Sequence, residues 1–152
     1  MFRKHLGNVL QNDNSMKLDM SIKRGQFIGR INSLLQEFHS ANPILLMKVI
    51  ESYACSFYGS NLWNLVSKHA DKMYATWNVM VRNVFTLSRQ THRRLVEPLS
   101  GFTHLKVALF SRFLKFYHTL RHCNKFSVRY MERIWGEKMN SRGGKIIDFL
   151  CD

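Results

Sequence analysis

Residues 77–129, WNVMVRNVFTLSRQTHRRLVEPLSGFTHLKVALFSRFLKFYHTLRHCNKFSVR, decide how this chain is read. The run is dense in cations: Arg82, Arg89, Arg93, Arg94, Lys106, Arg112, Lys115, Arg121, Lys125 and Arg129 stand against one acid, Glu97. Its apolar residues recur at helical spacing. From Thr103, a helix would place Leu105, Leu109, Phe113, Phe116, Tyr117 and Leu120 on one face, with Arg112, Lys115, His118, Thr119 and His122 opposite. The stretch can therefore fold as helix while carrying a self-repulsion that a polyanionic partner would relieve.

Working back from this run, the same periodicity continues. Asp19 is a candidate cap for a helix with Phe27, Ile31, Leu34, Leu35 and Phe38 inward. Gly25 and Gly29 on that helix suggest close approach of a second backbone. Asn42-Pro43 starts a second helix, with the stripe Leu46, Val49, Ile50, Tyr53 and Phe57, ended by Gly59. A third pattern runs through Leu62, Leu65, Val66, Met73, Trp77, Val81 and Val84, with a break expected near Asp71. Thr91 caps a short helix that ends near Pro98 and Gly101. After the helix from Thr103, Asn124 caps a last one with Val128, Met131, Ile134 and Trp135 inward.

The fold expected is all-α, a compact bundle of five or six helices preceded by a short strand-like segment, Leu6 to Leu10. Residues 1–18 hold that strand and a polar turn, 19–139 the helical domain, and 140–152 a flexible tail. A lone strand without a partner points to a neighbour missing before Met1.

At 152 residues and 45% hydrophobic, the chain suits one domain with an ordinary core and is too apolar for disorder. Its formal net charge is +13. Residues 1–76 carry nine Lys/Arg against five acids, and residues 77–152 carry fourteen against five. Charge on one side of the chain, beyond what solubility needs, points to nucleic acid.

Cys55, Cys123 and Cys151 form neither a disulfide framework nor a CxxC pair. With no signal sequence and no membrane span evident, the compartment expected is cytoplasmic or nuclear.

Several chemistries lack their residues. Neither GxxxxGK[ST], GxGxxG nor GxSxG occurs, and no two acids are adjacent. A polymerase or nuclease needs clustered carboxylates for its metal ions, so no catalytic residue, small-molecule substrate or cofactor is expected. His118, His122 and Cys123 are the nearest approach to a metal site. Zinc usually takes four ligands from two clusters and no second cluster exists, so these read as exposed residues on a basic face. Trp63, Trp77 and Trp135 each fall on an apolar stripe and read as core.

The phosphate-binding candidates are Arg82, Arg89, Arg93, Arg94, Arg112, Lys115 and Arg121. Arg89, Arg93 and Arg94 bracket a turn-to-helix boundary, where backbone N–H groups add to guanidinium forks. Arg112 and Lys115 lie one turn apart on the outward face of the following helix. The competing class is a helical interaction domain whose cations meet an acidic protein.

Several short runs carry a family likeness: Asp19-Met20-Ser21-Ile22-Lys23-Arg24-Gly25-Gln26-Phe27, Phe57-Tyr58-Gly59-Ser60-Asn61-Leu62-Trp63, Trp77-Asn78, Val81-Arg82-Asn83-Val84-Phe85, Thr91-His92-Arg93, Glu97-Pro98-Leu99-Ser100 and Ser111-Arg112-Phe113. Their order and spacing resemble the region after the polymerase palm in reverse transcriptases of LINE-type (non-LTR) retrotransposons, over roughly residues 5–131. The resemblance implies a noncatalytic fragment. Leu6-Gly7 would close a palm whose catalytic Asp pair is absent, and the helices would form a thumb-like module. It implies RNA or DNA as partner through phosphate contacts, beside an upstream polymerase domain. Arg82, Arg93 and Arg112 match family positions.

Overall fold

The computed structural model describes residues 2–5, 8–11, 16–127 and 130. Beyond a short N-terminal hairpin the fold is all-α, as expected. The hairpin itself corrects the expectation of a lone strand: β1 (Phe2–His5) pairs antiparallel with β2 (Asn8–Gln11), with His5 opposite Asn8. A two-stranded hairpin is marginal by itself, and β2 lies against the first helix.

Helix α1 (Lys17–Glu37) buries Met20, Lys23, Phe27, Ile31 and Leu34, the i, i+3, i+4 stripe that its sequence spells out. Its start differs from expectation. Met16 occupies the cap position with no side-chain bond, and Asp19 lies inside the first turn with its carboxylate buried. Gly25 and Gly29 also differ. Both face solvent, and a Cβ built on either would meet nothing within 4 Å, so no backbone approaches there. With ordinary helical φ and open space, Gly25→Ala and Gly29→Ala should each raise stability by about 0.5–1 kcal/mol. Urea unfolding midpoints check this, and a lower midpoint in either variant would show a hidden close contact.

Helix α2 (Pro43–Val49) begins as expected, the Asn42 side chain accepting from the Ile44 N–H at 2.9 Å ahead of Pro43. Its continuation is a π turn, Ile50–Ala54, closed by Cys55 N–H donating to the Ile50 carbonyl at 3.2 Å. The wider turn inserts one residue into the stripe. Leu46, Met47, Ile50 and Ala54 are buried, whereas Val49 and Tyr53, expected inward, are exposed. Gly59 follows the helix rather than ending it. Its φ of 77° opens a 3-10 turn at Ser60–Leu62, a left-handed conformation that suits glycine.

Helix α3 (Lys68–Val84) starts where the Ser67 hydroxyl accepts from the Ala70 N–H at 3.3 Å. The break expected near Asp71 falls a few residues earlier, at residues 63–67, so that Asp71 lies in the first turn, where a carboxylate favours the helix dipole. Leu62 to Val66 precede the helix; of these, Leu65 is buried and Val66 exposed. Met73, Trp77, Val81 and Val84 are buried as expected, joined by Tyr74 and Met80.

Helix α4 (Arg93–Ser100) ends at Gly101, whose φ of 70° makes the usual left-handed stop. Helix α5 (Leu105–Arg121) follows and buries Leu105, Leu109, Phe110 and Phe113. Phe116, Tyr117 and Leu120, further along the expected face, are only half-buried, so the end of α5 extends past the core.

One cluster of buried side chains unites these elements, with Phe27, Met47, Ile50, Trp63, Trp77, Val96 and Phe113 among its members. Helix α1 packs along α3, α4 on α3, and α5 on both α3 and the 3-10 turn. Residues 126, 127 and 130 are helical. The remaining inward positions expected of a last helix (Val128, Met131, Ile134 and Trp135) and the expected tail 140–152 lie outside the described residues.

Candidate nucleic-acid interface

Both α4 and α5 start on a histidine. His92 Nδ1 accepts from the Arg94 N–H at 3.3 Å, and His104 Nδ1 accepts from the Lys106 N–H at 3.0 Å. The cap expected at Thr91 is thus displaced by one residue, and the helix expected to open at Thr103 is capped by His104. Imidazole nitrogen can cap as a hydroxyl does, provided that the nitrogen carries a lone pair. The repeated Thr-His pair, Thr91-His92 and Thr103-His104, was the available signal in the sequence.

His104 is buried, and its other nitrogen, Nε2, lies 3.1 Å from Asn78 Oδ1 on α3. With Nδ1 accepting, Nε2 must carry the proton and donate. The neutral ring therefore satisfies two groups, the Lys106 N–H and Asn78 Oδ1, and the charged ring would lose the cap. Burial lowers the His104 pKa below its ordinary 6.5; nearby Glu97 opposes this, while Arg93 and Lys106 add to it.

A group whose folded pKa is depressed contributes stability that is complete above the unfolded value. That stability is lost as pH falls below about 6.5 toward the folded value. The urea midpoint should therefore be lower at pH 5.5 than at pH 7.5, and His104→Asn, which can cap without titrating, should shrink that difference. Glu51, raised by burial, acts with the opposite sign but equally in both proteins. An unchanged pH difference in the variant would remove His104 as its source.

Glu97, the one acid of residues 77–129, is engaged internally: its Oε1 accepts from the His104 N–H at 2.8 Å. It fastens the end of α4 to the start of α5.

The seven candidate cations fall into two groups. Around the α3–α4 corner, Arg89, Arg93 and Arg94 are exposed, and their side chains make no hydrogen bond or ion pair to another described residue. Arg82 differs. Its Nη1 donates to the Asn78 carbonyl at 3.2 Å and its Nη2 to the Thr91 carbonyl at 2.9 Å, while its Nε is buried without a partner among the described residues. Arg82 therefore sets the corner that displays the other three. The backbone donors expected to be open there are partly used, since Arg94 N–H binds the His92 ring and Leu95 N–H the His92 carbonyl. That leaves the guanidinium forks as the main anion-binding groups.

Along α5, Lys115 is exposed. Arg121 lies over the Tyr117 ring at 5.8 Å. Arg112 donates from Nη1 to the Cys55 carbonyl at 2.9 Å, tying α5 to the end of the π turn. Arg112 thus positions α5 while remaining exposed.

His118 and His122 stack at 4.1 Å between ring centroids on the exposed face, with His122 Nδ1 2.9 Å from the His118 carbonyl. No group of three or more His, Cys, Asp or Glu residues among the described ones is placed to hold a metal ion. The Cys55 thiol is buried and its pKa is pushed up to about 12, first by burial. It is not a nucleophile at neutral pH. Among the described residues no helix is long and apolar enough to cross a membrane.

No protein-family model, curated protein or solved structure matches the chain.

Proposed function

We propose that this chain is a noncatalytic helical module that holds a nucleic-acid phosphate backbone, in the manner expected of the post-palm, thumb-like region of a LINE-type reverse transcriptase. One observation carries the reading. Arg89, Arg93 and Arg94 stand exposed on one corner, while Glu97, the one acid nearby in sequence, is bound to backbone. Guanidinium forks that are not neutralised bind phosphate oxygens in pairs.

The test is salt dependence of binding to RNA and DNA. Each phosphate contact contributes roughly 0.7–0.9 to the slope of log K against log salt. Changing Arg89, Arg93, Arg94 and Lys115 to Gln should weaken binding to all sequences alike and flatten the slope by up to about three. The control changes Lys17, Lys48, Lys68 and Lys72, all exposed and remote in sequence from that corner, removing the same charge. Equal losses in the two quadruple variants would reduce the protein to a diffuse polycation.

A second reading has its own observation. Ile44, Leu45, Val49 and Tyr53 leave an apolar face exposed on α2 and its π turn, with Lys48 among them. Such a face suits an acidic protein partner with an apolar centre. Binding of that kind should lose less affinity with salt than phosphate binding does.

A further inference from the structure

The end of α5 leads into two exposed aromatic rings. Phe126 is 84% exposed, the most of any large apolar side chain among the described residues, and Tyr130 is 57% exposed. Their ring planes agree within 17° and their centroids are 6.4 Å apart. A single exposed aromatic needs no explanation. Two near-parallel, exposed rings present apolar faces that water solvates poorly.

The charge around them in sequence is mainly positive, with Arg129 and Arg133 flanking the one nearby acid, Glu132. Lys115, Arg121 and Lys125 precede the rings, and no acid occurs between Glu97 and Arg129. An occupant must therefore combine flat apolar faces with negative charge. Nucleotides do so, since every base has a π face and every linkage a phosphate. A duplex hides its base faces within its own stack, whereas a single strand offers them.

We propose that Phe126 and Tyr130 are a stacking platform for the bases of a single nucleic-acid strand, whose phosphates meet Lys115, Arg121 and Lys125. This rests on the phosphate-binding reading above and narrows it to single-stranded ligands. Base identity is not read, because stacking accepts any base.

The test uses the full chain with three probes: an oligothymidylate, an abasic oligonucleotide of the same length, and a strand carrying 2-aminopurine. The wild type should bind oligothymidylate more tightly than the abasic strand and quench 2-aminopurine fluorescence. Phe126→Ala with Tyr130→Ala should lose about tenfold or more per ring toward oligothymidylate. The salt slope and the abasic affinity should stay as in wild type, and so should the melting temperature, since both rings are exposed.

Equal wild-type affinity for thymidylate and abasic strands, or a ring variant that binds thymidylate normally, would overturn the platform while leaving phosphate binding intact. Loss of abasic binding in the ring variant would assign the rings to the fold and overturn it as well. Ring-dependent binding of polyglutamate, equal to that of thymidylate, would give the surface to an acidic protein instead. No binding of any strand by wild type at low salt would remove both this inference and the reading beneath it.

Discussion

Replacing Asp19 by Ala should destabilise the protein by about 3–5 kcal/mol, the usual consequence of removing one partner from a buried charged pair. Asp19 is 1% exposed and its Oδ2 accepts from Trp63 Nε1 at 2.9 Å. The same oxygen lies 3.9 Å from the Lys23 ammonium one turn further along α1. Lys23 is itself buried and donates to the Tyr58 carbonyl. Burial lowers the Lys23 pKa, and Asp19 is the counter-charge that opposes this. Without the carboxylate, the indole N–H loses its acceptor and a buried ammonium loses its nearest opposite charge. Asp19→Asn, which keeps an acceptor for Trp63, should lose less. The measurement is urea unfolding at pH 7. An Ala variant whose midpoint matches wild type would show that the network is not closed in solution.

Phe113→Ala should have a comparable effect, about 3–5 kcal/mol, through the cavity left where the ring was. Phe113 is 4% exposed at the centre of α5, and it belongs to the cluster that contains Trp63, Trp77 and Phe27. Leu114→Ala, next in sequence but 42% exposed, is the internal control and should change stability far less. Similar losses at the two positions would mean that the register of α5 is rotated. A loss this large is a substantial part of the stability of an ordinary domain, so Phe113→Ala should also lower the soluble yield.

The two predictions differ in how they could be found. Phe113 follows from a 3.6-residue period in a run that has room for nothing else. Asp19 as a buried anchor could not be read that way, because an acid just before an apolar stripe looks like a helix cap. Its partner, Trp63, is 44 residues away. The candidate cations divide along the same line. Arg89, Arg93, Arg94 and Lys115 stay exposed, as a charge count alone suggests. Arg82 and Arg112 carry the same charge in the same run, yet they donate to the carbonyls of Thr91 and Cys55. No local pattern separates the two kinds of arginine.

By itself, the sequence determined the helical class, most of the inward faces of α1, α3 and the first half of α5, the Asn42 cap and the end of α4 near Gly101. These depend on periodicity and on backbone preferences within a few residues, and such information is complete in a short window. Phe38, expected inward, lies past the end of α1 and is 42% exposed. Tertiary structure alone decided the rest. The π turn at Ile50–Ala54 rotates Tyr53 outward, the His104–Asn78 contact holds the histidine that caps α5, and the open surroundings of Gly25 and Gly29 leave those glycines without a neighbour. Each of these outcomes depends on which groups lie across the core or fail to. That is set by the packing of distant segments, where a buried donor or acceptor takes the partner the fold brings within reach.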